Sequence, residues 1–283
     1  MIEGRRSGTA ERVAMRRAAH QLWDEPVIFA DPLAWSILSE DARERIRAGI
    51  EEENQNPWAR GLRAFVAVRS RFAEEEIAKA AAQGVRQVVV LGAGLDTFAY
   101  RNRHAGLRVF EVDHPATQAW KHERLREGGI GIPESVQFAP VNFESDTLAH
   151  GLTAAGFSED EPAFFSWLGV VPYLTRVAAF ATLGFIAGLP RGSGVVFDYA
   201  IPRDLMSERE QMAFDRLAER VSRAGEPFRS FFVPEQLARD LRGMGFSAIE
   251  DLDGAAIREK WFGQPAQEQR LHGRSGRLLC AWV

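Results

Sequence analysis

The stretch Gln87-Val88-Val89-Val90-Leu91-Gly92-Ala93-Gly94-Leu95-Asp96-Thr97-Phe98-Ala99-Tyr100-Arg101, followed by Val109-Phe110-Glu111-Val112-Asp113, decides the fold. An apolar, β-prone run enters a Gly-Ala-Gly turn, and a second such run ends in acids. Runs this continuously apolar suit strands covered on both faces, hence a parallel sheet with a nucleotide-type site at its carboxyl ends.

Working outward, the chain alternates strands and helices from Val85 onward, the pattern of a parallel sheet covered on both faces. Strands are expected near Gln87 to Leu91, Arg108 to Val112, Val136 to Val141, Ala163 to Trp167, Gly194 to Tyr199, Phe246 to Glu250 and Arg277 to Val283. Helices fall between them, at Ala116 to Glu127, Asp146 to Ala155, Arg176 to Gly188, Asp204 to Arg223 and Pro234 to Arg242. The last strand can be antiparallel to its neighbours, because such pairing needs no crossover. Residues up to Ala82 read as helical throughout, including a helix led by Pro32 and a long one from Gly61 to Ala82 with Phe65, Val68, Phe72 and Ile77 at helical spacing. The expected architecture is therefore α/β and doubly wound, a Rossmann-like seven-stranded sheet over residues 83–283 with an N-terminal helical cap and lead-in helix over 1–82, forming one structural unit.

Composition narrows the function. The 283 residues carry 35 basic and 39 acidic side chains, a net charge of −4, and no basic face that would point to nucleic acid. The single cysteine, Cys280, rules out an intrachain disulfide and a cysteine metal cluster. His20 and His104 have no ligand-spaced partners, so no metal is expected. No apolar stretch is long enough to span a membrane and no secretory signal is visible, so a cytoplasmic enzyme is the expectation.

The Gly92-Ala93-Gly94 turn lets a ligand approach the backbone without a Cβ in the way. A dinucleotide fingerprint would continue to a third glycine, but Thr97 stands there, and Asp96 beside the loop would repel a pyrophosphate. A cofactor carrying positive charge suits Asp96 better. Glu111 and Asp113 lie on the same side of their strand, and either can accept the hydroxyls of a ribose.

The segment Val90 to Arg101, with Phe110-Glu111-Val112-Asp113-His114-Pro115 and Lys121, resembles the leucine carboxyl methyltransferase family, whose bacterial members include S-adenosyl-L-methionine-dependent O-methyltransferases. The likeness is good from Arg69 to Tyr199 and looser in the N-terminal helices and at Phe231-Phe232-Val233-Pro234-Glu235. It implies a class I methyltransferase sheet that binds S-adenosyl-L-methionine. It also implies that Arg69 meets the cofactor carboxylate, that Gly92 lines the cofactor and that Asp113 holds the ribose. Asn142 and Phe143 stand where the family flanks the adenine. After the fourth strand, where the family usually has a glutamate facing the cofactor, this chain has Leu168, so the methionine end is held otherwise, with Ser166 or backbone carbonyls as candidates; Trp167 and Leu168 are counted among the cofactor-binding residues.

The expected reaction is methyl transfer to a carboxylate or hydroxyl of a small molecule. His114, Tyr173 and Tyr199 are the candidate proton acceptors or orienting groups, needed for a hydroxyl and dispensable for a carboxylate. The loop from Ala224 to Phe232, with Phe228, Phe231 and Phe232, is a candidate lid over the acceptor. Two alternatives stand beside this: an NAD(P)-dependent oxidoreductase, and a cofactor-binding module without turnover.

Overall fold

The computed structural model describes residues 8–142, 146–223, 225–263 and 276–283, with side chains omitted for 50–53. Its strands are β1 (Gln87–Leu91), β2 (Arg108–Asp113), β3 (Val136–Pro140), β4 (Ala163–Trp167), β5 (Gly194–Ala200), β6 (Ala248–Leu252) and β7 (Gly276–Trp282). They form one seven-stranded sheet in the order β3-β2-β1-β4-β5-β7-β6. The strands β1 to β5 run parallel, whereas β7 is antiparallel to both of its neighbours. Since β1 is flanked by β2 and β4, the chain departs from it in both directions, and a crevice opens at the carboxyl ends of these strands.

The helices are α1 (Gly8–Trp23), α2 (Glu40–Gln55), α3 (Pro57–Ala82), α4 (Phe98–Arg101), α5 (Pro115–Glu127), α6 (Leu148–Ala154), α7 (Arg176–Ala187), α8 (Glu208–Arg223), α9 (Pro234–Met244) and α10 (Gly254–Phe262). Three of them, α3, α5 and α9, open on a proline, which has no N–H to leave unsatisfied in the first turn. The Asn56 side chain caps α3, and the His114 ring caps α5.

Side-chain alternation along the strands sends two apolar sets to opposite faces. Val89, Leu91, Phe110, Phe165 and Trp167 pack with Leu183 and Ile186 of α7 and Leu237 and Leu241 of α9. Val88, Val90, Val109 and Phe164 pack with Val68, Phe72 and Ile77 of α3 and Ile257 of α10. A third cluster joins Ala14 and Ala18 of α1 to Ile37, Ile46, Leu95 and Trp120, fastening the N-terminal helices beside the glycine turn.

Two local expectations change. The segment behind Pro32 is a run of turns rather than a helix, because its backbone bonds mix spacings, Ala34 to Asp31 and Leu38 to Trp35 beside Ile37 to Leu33. Residues 254–262, which lie outside the strands and helices expected above, form α10, since the Asp253 carboxylate accepts the N–H groups of Ala255 and Ala256 at 2.9 Å.

Candidate functional site

A cleft of about 420 Å³ opens over β1, β2 and β4. Its floor is the glycine turn. The N–H groups of Gly92 and Ala93 donate to the Val112 carbonyl at 2.8 and 3.0 Å, closing the turn onto β2. Gly92 has φ +65°, and a Cβ there would stand 2.4 Å from Cγ2 of Val170, so the position admits no side chain. Asp113, at the end of β2, accepts the Gly94 N–H at 2.7 Å on one oxygen and the His114 N–H at 2.7 Å on the other. Burial pushes its carboxyl up from the ordinary value, against these two donors. Each carboxylate oxygen has more than one lone pair, so Asp113 is fixed by these bonds and still able to accept a further donor.

Asp96 sits on the same rim. Burial acts to raise its carboxyl, but Arg17, Lys121 and Arg101 hold it below the ordinary value. Arg17 comes from α1, its Nη1 3.3 Å from Asp96, its Nε 3.3 Å from Asp31, and its Nη2 donating to the Leu95 carbonyl at 2.6 Å. The N-terminal helix therefore meets the loop through a charge.

On the opposite wall Arg69 of α3 pairs with Asp198 of β5 at 3.0 Å, and Asp198 also accepts the Gly169 N–H at 2.5 Å. Gly169 has φ +71°, and a Cβ there would lie 2.7 Å from the Arg69 guanidinium, so glycine lets the arginine reach the cleft behind β4. Ser166, Leu168, Asn142 and Tyr173 also line the cleft. A strap, residues 225–230, lines the cleft through Gly225, Glu226, Pro227 and Arg229. Its Glu226 carboxylate accepts the Thr9 hydroxyl of α1, and its Arg229 N–H donates to the Pro172 carbonyl at 2.7 Å.

Of the residues singled out from the sequence, Arg69, Gly92, Ala93, Gly94, Asp96, Asp113, His114, Asn142, Leu168 and Tyr173 all line this cleft. Three others do not. Glu111 is fully buried, its Oε2 2.7 Å from Lys121 Nζ and 2.8 Å from the Tyr100 hydroxyl. It shares a face with Asp113 but lies one pleat repeat below the strand end, where α5 covers it. Trp167 turns into the core and packs against Phe197, while its neighbours Ser166 and Leu168 face the cleft, as strand alternation requires. Tyr199 is buried against Phe197 and Phe232, its hydroxyl donating to Asp251 at 2.6 Å. Phe143 lies outside the described residues.

The strap aromatics have a different job from the one expected. Phe228 packs on Tyr173 and Phe214, and Phe232 on Tyr199 and Phe180, so they anchor the loop while Gly225, Glu226, Pro227 and Arg229 face the cleft. Arg17 and Asp198 were not anticipated. The only local sign of Asp198 is a carboxylate inside an otherwise apolar strand, and Arg17 is one of several arginines on its helix. Among the described residues no group of three or more His, Cys, Asp or Glu is placed to hold a metal, and no helix is long and apolar enough to cross a membrane.

This strand order, with a glycine turn and a strand-end acid at the point where the chain reverses direction, is that of the class I S-adenosyl-L-methionine-dependent methyltransferases. A crystal structure from Thermobifida fusca YX, described by inference as a methyltransferase, shares the fold with a TM-score of 0.57, over 95% of this chain and 93% of that one at 15% identity. The chain belongs to the leucine carboxyl methyltransferase family, whose profile matches residues 10–187. A Bacillus subtilis (strain 168) protein named by inference S-adenosyl-L-methionine-dependent methyltransferase YktD is 30% identical over 271 residues, 88% of this chain and 89% of its own. A Saccharopolyspora erythraea relative with the same inferred activity in its name is 33% identical over 192 residues, covering 67% of this chain and 66% of its own. The protein is an S-adenosyl-L-methionine-dependent methyltransferase.

Proposed function

We propose that the enzyme methylates an oxygen of a small molecule, a carboxylate or a hydroxyl, and that a carboxylate is the better acceptor. The observation that carries this is the engagement of every candidate base in the cleft. Asp96 faces Arg17, Asp113 accepts two backbone N–H groups, and Glu226 accepts from Thr9. The His114 Nδ1 accepts the Ala116 N–H at 3.2 Å, so in the neutral ring the proton sits on Nε2, which then donates. Burial pushes the Tyr173 phenol up to about 12, so near neutral pH it keeps its proton and orients an acceptor as a donor. A carboxylate needs no proton removed, whereas a hydroxyl does.

The cleft residues fit the cofactor by the chemistry of their atoms. Asp113 would take the ribose hydroxyls on its free lone pairs, beside a glycine turn that leaves room for the sugar. Arg69 bonds Asp198 through Nη1, which leaves guanidinium N–H groups for the cofactor carboxylate. Asn142 would meet the adenine edge, with Ser166 and Leu168 along the methionine portion. The cofactor supplies a methyl group on a positively charged sulfur, so an acceptor oxygen requires alignment more than activation. The chain's share is therefore to fix both partners and exclude water, with α1 and the strap as cover. A cleft of about 420 Å³ is in the range of small-molecule sites.

Asp113→Ala is expected to weaken S-adenosyl-L-methionine binding in isothermal titration by about 1–3 kcal/mol. Unchanged affinity would remove Asp113 from the cofactor site. The acceptor chemistry is tested with methyl-labelled cofactor and matched carboxylic acids, alcohols and phenols from about pH 6 to pH 9, a window in which carboxylic acids are already ionised. Turnover of acids at a rate nearly independent of pH is expected. Turnover confined to phenols and rising with pH would replace the carboxylate with a hydroxyl acceptor.

A further inference from the structure

We infer that Arg229 is the specificity-determining residue of the acceptor site, and that it selects a small carboxylic acid with an apolar body. This rests on the carboxylate reading proposed above. Three arginines line the cleft, and two have their charge met within the fold, Arg17 by Asp96 and Asp31 and Arg69 by Asp198. Arg229 is different. Its side chain is exposed and makes no ion pair or hydrogen bond among the described residues, so its five N–H donors are open to a ligand.

The backbone beneath it is held firmly. The N–H groups of Arg229 and Ser230 donate to the Pro172 carbonyl at 2.7 and 3.3 Å, and the Ser230 hydroxyl donates to the Val171 carbonyl at 2.8 Å. Phe228, the preceding residue, is stacked on Phe214 at 5.5 Å and leans on Tyr173 at 5.2 Å. A free cation on a fixed backbone thus faces the chamber from the strap. The cleft it lines has an apolar share, Val13, Val170, Leu174, Ala178 and Pro227, beside the polar Thr9, Thr175, Tyr173 and Glu226, the last already accepting the Thr9 hydroxyl. A planar guanidinium in a cleft with this apolar share matches a carboxylate carried on a hydrocarbon or aryl body.

The chemistry gives the arrangement a direction. One carboxylate oxygen forms the new C–O bond as the methyl–sulfur bond breaks, and that electron pair stays on sulfur. Carboxylate and sulfonium charges disappear together, leaving a neutral ester and a neutral thioether, and no proton moves. The ester no longer carries the charge that Arg229 holds, so the contact that admits the acid is weakened in the product.

The test uses the full chain and its Arg229→Gln and Arg229→Lys variants, with octanoate and phenylacetate as probes and octanol and phenylacetamide as uncharged controls. For Arg229→Gln, KM for the acids is expected to rise roughly tenfold to a hundredfold with kcat little changed, and Arg229→Lys to recover part of it. Titration of octanoate into the complex with S-adenosylhomocysteine should weaken by the same factor, while S-adenosylhomocysteine itself binds as before. Acids turned over or bound equally well by wild type and Arg229→Gln would overturn the role of Arg229 and leave the carboxylate reading standing. Wild-type enzyme that neither binds nor methylates the acids but methylates hydroxyl compounds would overturn that reading itself.

Discussion

Lys121→Met is expected to destabilise the fold by about 3–5 kcal/mol near neutral pH, the usual result of stripping one partner from a buried ion pair. Lys121 and Glu111 are each 1% exposed and 2.7 Å apart. The other Glu111 oxygen, Oε1, has no hydrogen-bond partner among the described residues, so without the ammonium only the Tyr100 hydroxyl would face the carboxylate. Burial already pushes the Glu111 carboxyl above its ordinary value despite Lys121, and losing the lysine pushes it further. A carboxyl raised in this way binds its proton more tightly folded than unfolded. Stability is then lost as pH climbs from the unfolded carboxyl value through the folded one, and acidification restores it. Urea unfolding at about pH 5 and pH 8 checks the sign: the deficit against wild type should be smaller at the lower pH. A deficit equal at both would show that Glu111 does not titrate in this window. Adding Glu111→Gln should recover most of the loss, because the stranded charge is then gone.

Asp198→Ala is expected to act on stability and on the cofactor together. Arg69 and Asp198 are 9% and 8% exposed, and the Gly169 N–H also ends on Asp198. Removing the carboxylate leaves a guanidinium poorly hydrated and the β4 turn without its anchor, a loss of about 3 kcal/mol in urea unfolding. S-adenosyl-L-methionine affinity should fall as well, since Arg69 would no longer be held at the cleft. Asp198→Asn, which keeps an acceptor oxygen, should retain more of both. Normal affinity in an Asp198→Ala protein that is less stable would place the pair in the fold alone and outside the binding site.

How far the sequence reveals this site depends on the range over which its parts communicate. The glycine turn and Asp113 announce themselves because turn, strand and strand-end acid are local patterns, and each strand falls within about two residues of its expected place. Parity along a strand assigns a face but not a depth. That is why Glu111 and Asp113 look equivalent until α5 is seen covering one and not the other. The same limit places Tyr199, near the end of β5, among the catalytic candidates, although its ring is buried against Phe197 and Phe232 and its hydroxyl donates to Asp251 of β6. Arg17 meets Asp96 across 79 positions and Arg69 meets Asp198 across 129, and no spacing rule reaches so far. The antiparallel sense of β7 was an open choice for the same reason.

The position of β7 also imposes an order of assembly. It is inserted between β5 and β6, pairing Val195 with Ala281 on one side and Ile249 with Ala281 on the other. During synthesis β1 to β5 are complete while one edge of β5, the strand that carries Asp198, still has no neighbour. Until residues 276–282 emerge, that edge is an open row of backbone donors and acceptors, a template for pairing with other chains. Late-emerging residues far from the cleft thus govern when the Arg69 anchor becomes dependable, and a nascent chain is most prone to aggregate in the interval just before the sheet closes.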